Sequence, residues 1–224
     1  MWWKTATSSV YFTAAKETPE MKEKTPASAP VNSGKRPVKK VILEYVVLLV
    51  VVIIFAKLVH LFIFQPYIIP TGSMEPTIRK NDRIIVSKYS YGLRSPFSGK
   101  RLTKGSELQR GDIVVFSSPF QDGNELVKRC IALPGETLEI KKRDVYINGK
   151  LLTEPYTYLF DSNPEVGARD NILPVVVPPG KYLFLGDNRD DSKDGRYFGF
   201  IEDDRIIGKA IFTFWPLKRF GSLK

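Results

Sequence analysis

The pattern of apolar and polar positions divides the chain into a polar N-terminal part, one long apolar run and a third part of short apolar stretches. The long run spans residues 41–64, and only Glu44, Lys57 and His60 interrupt it with strongly polar groups. A helix of that length is about 36 Å long and can cross a hydrocarbon core of about 30 Å. The run starts late, is too long for a cleavable signal sequence and has no small-x-small site before Pro66, so it predicts an uncleaved transmembrane anchor. A buried core helix is the alternative.

Residues 65–224 alternate short apolar stretches with turn residues, a pattern typical of β structure. Asn148-Gly149, between two such stretches, is a strong hairpin signal. Residues 156–171 show no clear period and are predicted to form a loop or a small insertion. We therefore predict a mainly β fold, with a folded antiparallel sheet or barrel-like domain behind the anchor helix. Strands are expected at 83–87, 111–116, 125–133, 138–141, 144–147, 150–152, 175–177, 182–185 and 206–215.

Residues 1–40 are rich in Thr, Ser, Ala, Pro, Glu and Lys and show no sustained period. This composition predicts a disordered tail, with a partner-binding motif as the alternative. A basic cluster, Lys35, Arg36, Lys39 and Lys40, precedes the anchor, and no basic residue follows the anchor before Arg79. By the positive-inside rule the tail lies in the cytoplasm, and residues 65–224 form an extracytoplasmic domain.

The formal net charge of +10 is a possible nucleic-acid signal until its location is considered. Half of this excess positive charge lies in residues 1–40, and the other half is distributed over the 160 residues from 65 to 224. This distribution lacks the basic stripe of a nucleic-acid-binding protein and fits attraction to anionic phospholipid beside the anchor. The single cysteine, Cys130, excludes an intramolecular disulfide and a Cys-rich zinc site.

Candidate chemistry in residues 65–224 is restricted because this part contains no histidine. Its absence excludes Ser-His-Asp and Cys-His hydrolysis and the usual zinc hydrolase sites, so a hydrolase here needs a Lys, carboxylate or Tyr base. Ser73 is a hydroxyl nucleophile candidate, held between Pro70 and Pro76 in a Pro/Gly-rich segment that could equally be an ordinary loop. A Ser–Lys pair is then the obvious arrangement for acyl transfer.

Lys128 is the candidate base, because it lies in a predicted strand where alternate residues share a face. Leu126, Cys130 and Ala132 share its face, and the opposite face carries Val127, Arg129 and Ile131. An ammonium on an apolar face is disfavoured, so the pKa of Lys128 is expected to fall from about 10.4 towards neutrality. A lysine on an edge strand that reaches solvent is the alternative.

After Ser73 and Lys128, the segment 186–199 is the third candidate for a part of a functional site, and it is rich in charged residues. It could be a solvated loop, or a loop that orients a nearby lysine through Ser192 or Asp194. Its aspartates could also collect a hard cation, but their spacing does not match a Ca²⁺ EF-hand loop and Arg189, Lys193 and Arg196 oppose a cation.

Four segments in this order, 70–77, 111–116, 128–136 and 186–199, behind an N-terminal anchor resemble the sequence boxes of bacterial type I signal peptidases. The resemblance covers residues 41–215 and implies a membrane-bound serine endopeptidase of the bacterial cytoplasmic (inner) membrane, with a Ser/Lys dyad. It implies Ser73 as nucleophile, Lys128 as general base, and the Ser73 N–H with the Thr71 hydroxyl as oxyanion hole. It further implies that Ser192 positions the lysine amine, that Asp194 lies behind it, and that Asp187, Arg129 and Arg196 form bracing ion pairs.

The same resemblance implies shallow pockets, lined by Ile69, Met74 and Val127, that admit small side chains at positions −1 and −3 of an exported preprotein. No metal or organic cofactor is implied, and no nucleic-acid partner. A self-cleaving repressor-type Ser/Lys peptidase is a rival, which the apolar run 41–64 disfavours. A membrane-tethered β module without catalytic activity is another rival, which the complete Ser73–Lys128 pair disfavours.

Overall fold

The computed structural model describes residues 37–95, 101–120, 123–160 and 170–223. The predicted tail therefore lies outside the described residues except for 37–40, and so do residues 161–169 of the predicted loop. The chain separates into two units, Met1–Glu44 and Tyr45–Lys224. In the first unit the described residues are the start of a helix, and the second unit contains the rest of that helix and the β structure.

Helix α1 spans Val38–Phe62, close to the predicted 41–64. Its stretch Val38–His60 is the one helix among the described residues that is long and apolar enough to cross a membrane. Its large apolar side chains, from Ile42 to Leu58, are exposed. The predicted alternative, a helix buried in a protein core, is therefore not what the structure shows, and the helix fits a single-pass membrane protein.

Most of the regular secondary structure in the remaining described chain is β-strand, and all the strands pair antiparallel, so the prediction of a mainly β fold is confirmed. The strands are β1 (Phe64–Ile68), β2 (Arg83–Ser87), β3 (Ile113–Ser117), β4 (Glu125–Ala132), β5 (Thr137–Lys141), β6 (Asp144–Ile147), β7 (Lys150–Leu151), β8 (Ile172–Val176), β9 (Lys181–Leu185), β10 (Ile201–Glu202), β11 (Ile206–Trp215) and β12 (Gly221–Ser222). A short helix, α2 (Gly195–Phe198), lies between β9 and β10.

The strands form two sheets. The larger has eight strands in the order β1-β2-β11-β3-β4-β9-β10, with β12 paired to β11, and the smaller has the order β7-β6-β5-β8. The predicted hairpin joins β6 to β7 through Asn148 and Gly149, whose φ angles of 50° and 77° fit the two left-handed positions of a type I′ turn. The smaller sheet contributes Leu138, Ile140, Val145 and Ile147 to a core that also contains residues of β4 and β9.

Strand β1 was not among the predicted strands. It starts one residue after Ile63 and pairs along its whole length with β2, with Pro66 opposite Ile85. As the first strand in the sheet order it is an edge strand, where a proline is tolerated because its missing N–H need not be paired. The segment that carries Ser73 therefore begins from an ordered strand and not from a flexible linker.

The prediction that Ala132 lies on the same face of its strand as Leu126, Lys128 and Cys130 is wrong. The register between β4 and β9 shifts between Cys130 and Ala132, which marks a β-bulge or irregularity. Ala132 consequently packs in the same apolar cluster as Ile131, whereas Cys130 lies in another cluster beside Leu126.

Candidate active site

The turn that carries Ser73 is fixed by backbone hydrogen bonds at both of its ends. Ile69 N–H donates to Asp82 O at 3.0 Å and Asn81 N–H donates to Ile69 O at 2.7 Å, which closes the segment between β1 and β2. Within it, Met74 and Ile78 are fully buried and anchor the turn to the core. Ser73 is 8% exposed, so its hydroxyl is held at a defined place and little of it meets water.

Lys128 meets this hydroxyl from β4, which lies between β3 and β9 in the larger sheet. Its Nζ donates a hydrogen bond to Ser73 Oγ, and the side chain is buried at 3% exposure. Burial lowers the pKa of Lys128 from 10.5 to about 8; the positive charge of Arg196 lowers it too, and the negative charge of Asp194 opposes the fall. A neutral amine is therefore accessible near physiological pH, at a nitrogen already in contact with the hydroxyl.

Thr71, the predicted oxyanion-hole hydroxyl, lies two residues before Ser73, with its Oγ1 3.5 Å from Ser73 Oγ. The Ser73 N–H donates no hydrogen bond to any of the described residues. Both predicted donors are thus close to the nucleophile, and neither has its hydrogen committed to a strong internal bond.

Ser192 and Asp194 are both buried next to the dyad. Asp194 accepts hydrogen bonds from Gly186 N at 3.0 Å and from Arg196 Nε and Nη2 at 2.9 Å each. Burial alone would raise the pKa of Asp194, but the Arg196 contacts and the Gly186 N–H outweigh it and hold that pKa below its usual value. The Ser192 hydroxyl also helps to lower the pKa of Asp194, so it lies beside that carboxylate. Ser192 Oγ makes no hydrogen bond to the Lys128 amine, so its predicted role in positioning that amine has no direct contact behind it.

Arg129 and Asp187 form a bidentate pair on the far side of β4, with Nε–Oδ1 at 2.8 Å and Nη2–Oδ2 at 2.7 Å. Both side chains are almost completely buried. Thr77 donates to the same carboxylate at 2.6 Å, and the guanidinium lies 3.9 Å from the centroid of the Tyr156 ring. The pair therefore ties β4, the segment after β9 and the end of the nucleophile turn together.

The predicted pocket residues Ile69, Met74 and Val127 line one small cavity of about 90 Å³, which also touches Ser73 and Lys128. A second cavity, of about 610 Å³, shares the dyad, and its lining includes the charged residues Glu75, Lys80, Asp191 and Lys193 beside the apolar Pro70 and Leu126. Among the described residues, no group of three His, Cys, Asp or Glu side chains is placed to hold a metal ion. Asp187 and Asp194, both in the predicted metal alternative, are instead paired with arginines.

Asn188 is a site residue that the sequence reasoning missed. Its backbone N–H donates to Ser73 O at 3.2 Å, and its Nδ2 donates to Gly72 O at 3.3 Å. Asn188 therefore binds the backbone carbonyl oxygens of Gly72 and of Ser73, one on each side of the Ser73 Cα. The only sequence signal was its position directly after Asp187, because the partner it holds lies more than a hundred residues away.

The family of the chain follows from comparison with known proteins. The family model described as signal peptidase, peptidase S26, matches residues 42–215. Signal peptidase IB of Staphylococcus aureus is 36% identical over 197 residues, which cover 81% of this chain and 94% of the relative. A probable signal peptidase I-2 of Synechocystis is 36% identical over 215 residues, covering 93% of this chain and 84% of the relative.

A solved signal peptidase I from Enterococcus faecalis is also 36% identical and covers 46% of this chain and 97% of that one. Its TM-score is 0.39, too low to carry a fold argument. The range matched by the family model contains most of helix α1, the nucleophile turn, β4 and the segment after β9, and it agrees with the resemblance of the sequence boxes. The chain therefore belongs to the signal peptidase family, peptidase S26, and is a serine endopeptidase.

Proposed function

We propose that this chain removes N-terminal signal peptides from exported preproteins by acyl transfer with a Ser73–Lys128 dyad. The observation that carries the proposal is the buried contact between Lys128 Nζ and Ser73 Oγ, made by an amine whose pKa is lowered to about 8. A lysine that is neutral near pH 8 can accept the hydroxyl proton, which no histidine is present to accept in residues 65–224.

In the acylation step, neutral Lys128 takes the Ser73 proton while Ser73 Oγ forms a bond to the scissile carbonyl carbon. The negative charge that develops on the carbonyl oxygen is met by the Ser73 N–H and the Thr71 hydroxyl. The C–N bond then breaks, and the Lys128 ammonium returns its proton to the leaving amine. In deacylation Lys128 takes a proton from water while the water oxygen attacks the ester carbonyl carbon. The bond from that carbon to Ser73 Oγ then breaks, Lys128 returns the proton to Ser73 Oγ, and the signal peptide leaves with a free carboxylate.

The small cavity supports a preference for small side chains at −1 and −3 of the substrate. Its volume of about 90 Å³ and its apolar walls, including Ile69, Met74 and Val127, suit a side chain the size of alanine. A leucine or phenylalanine there would have to displace side chains that are already buried, which typically costs about 1–3 kcal/mol.

We also propose which membrane holds the protein and on which side of it each part of the chain lies. Helix α1 anchors the protein once in the bacterial inner membrane, with the tail in the cytoplasm and the β domain outside, because the basic cluster precedes the apolar run. The basic excess beside α1 attracts anionic phospholipid. Exported preproteins present their cleavage sites outside the same membrane, so anchor and substrate meet at one surface.

The test is cleavage of a preprotein by the purified full chain in detergent micelles, with N-terminal sequencing of the product. We expect Ser73→Ala and Lys128→Met each to lower kcat by at least about 1,000-fold, because either change removes the acyl-transfer chemistry. Lys150→Met, at an exposed position in β7, is the matched control and keeps full activity. Substantial cleavage by either dyad variant would refute the proposed mechanism.

A further inference from the structure

Ser73 and Lys128 are shared by two cavities of very different character. The small cavity continues from the dyad to buried apolar residues, among them Met74 and Val115. The large cavity shares Pro70, Thr71 and Leu126 with the small one as well as the dyad, and the rest of its lining is Gly72, Glu75, Lys80, Asn188, Asp191 and Lys193. The walls that the two cavities do not share are therefore mostly apolar in the small cavity and mostly polar or charged in the large one.

The residues before the scissile bond of a peptide substrate require a different binding site from the residues after it. The acyl side must be held tightly and, with small side chains, fits the small cavity. The leaving side becomes an amine that must gain a proton and depart into water, which suits polar, solvent-facing walls. The large cavity has a volume of about 610 Å³, within the usual range of small-molecule sites, and can hold two or three extended residues that span about 10 Å.

Hydrogen bonds hold the backbone of the large cavity near Asn188, whereas the charged side chains of Asp191 and Lys193 make no hydrogen bond to Ser73 or Lys128. Asn188 bonds the nucleophile turn and its Oδ1 also accepts the N–H of Asp191 at 3.2 Å, so the backbone there is held. The side chains of Asp191 and Lys193 are exposed and of opposite sign. They can therefore attract or repel a charged substrate side chain. The charge of Asp191 also raises the pKa of Lys128, so its effect on the substrate has to be measured as a ratio between two substrates.

We propose that the large cavity binds the first residues of the mature protein, positions +1 to +3, and that Asp191 and Lys193 bias cleavage by the charge of those side chains. The ligand class is a polypeptide with charged groups just after the scissile bond. The inference rests on the proposed function, since it assumes that peptide cleavage occurs at Ser73.

The experiment uses preproteins with one signal peptide and identical −3 to −1 residues, differing only in Glu or Lys at +2. The quantity measured is the ratio of kcat/KM for the Lys substrate to that for the Glu substrate. We expect Lys193→Glu to raise this ratio about fivefold and Asp191→Lys to lower it about fivefold, as is typical of reversed exposed charge pairs. Lys150→Glu, the same change outside both cavities, is the control and leaves the ratio unchanged.

The outcomes separate this inference from the proposed function. If the wild-type chain cleaves none of the preproteins, the proposed function fails first. If it cleaves them but Lys193→Glu and Asp191→Lys leave the ratio unchanged, or shift it as Lys150→Glu does, the large cavity does not read the mature side. A second pair of preproteins has identical mature residues and carries Glu or Lys at −2. If the two variants shift the ratio for this pair and not for the +2 pair, the large cavity holds the other flank of the substrate and the inference is overturned.

Discussion

The lowered pKa of Lys128 makes cleavage steeply dependent on pH. An amine with a pKa of about 8 is neutral in about one molecule in ten at pH 7, whereas one at the ordinary 10.5 is neutral in about one in 3,000. Burial of Lys128 thus raises the reactive fraction at pH 7 by about 300-fold. Because only the neutral amine can take the Ser73 proton, kcat/KM should rise about tenfold per pH unit from pH 5 and level off above about pH 8.

The assay follows cleavage of a peptide substrate without titratable side chains, in detergent micelles from pH 5 to pH 10. Enzyme incubated at each pH and returned to pH 8 must recover its activity, which separates protonation of Lys128 from unfolding. A profile that is flat below pH 8, or one still rising at pH 10, would refute the reasoning. The first result would mean that the base is not Lys128, and the second that burial does not lower its pKa.

Three further predictions concern the consecutive residues after β9. Gly186→Ala would place a methyl group 2.4 Å from Ser73 O, and we expect kcat to fall about 100-fold in the same cleavage assay. Asp187→Asn leaves the buried Arg129 charge uncompensated and should lower the free energy of unfolding by about 3–5 kcal/mol, measured by denaturant titration. Asn188→Ala removes the 3.3 Å side-chain hydrogen bond to the turn before Ser73 and should lower kcat about fivefold, with KM little changed.

Each of these predictions has an outcome that counts against it. Gly221→Ala is the control for the glycine variant, since its new methyl group meets nothing within 4 Å; equal activity of the two would show that Gly186 is not crowded. Asp144→Asn removes an exposed carboxylate, and an Asp187 variant no less stable than this one would mean that the pair contributes little. A change confined to KM in the Asn188 variant would assign that residue to substrate binding instead.

Periodicity and turn chemistry predicted most of the fold. The hairpin at Asn148-Gly149, the strands β2 to β7, β9 and β11 and the buried position of Lys128 follow from patterns within a few residues, whereas the predicted stretch 175–177 matched only the end of β8. Strand β1 was not predicted, because Pro66 interrupts a short stretch whose partner, β2, is supplied by tertiary structure. The face of Ala132 was wrong because a bulge depends on the neighbouring strand and leaves no local signal.

In the candidate site, only the residues whose side-chain chemistry suits acyl transfer could be predicted from the sequence. The absence of histidine and the order of the sequence boxes were enough to single out Ser73 and Lys128. The residues that hold them in place could not be read in the same way. Asn188 and Tyr156 act through contacts with Gly72 and Arg129 that depend on the folded sheet and not on sequence spacing.

Pro66 has a consequence for molecules that share a crowded membrane. It lies in the middle of β1, at the margin of the eight-stranded sheet, and cannot donate a hydrogen bond to a strand from a neighbouring copy. An intermolecular ladder along this margin would therefore be broken at its centre. This margin is therefore protected against strand pairing between copies by one residue of the covalent structure.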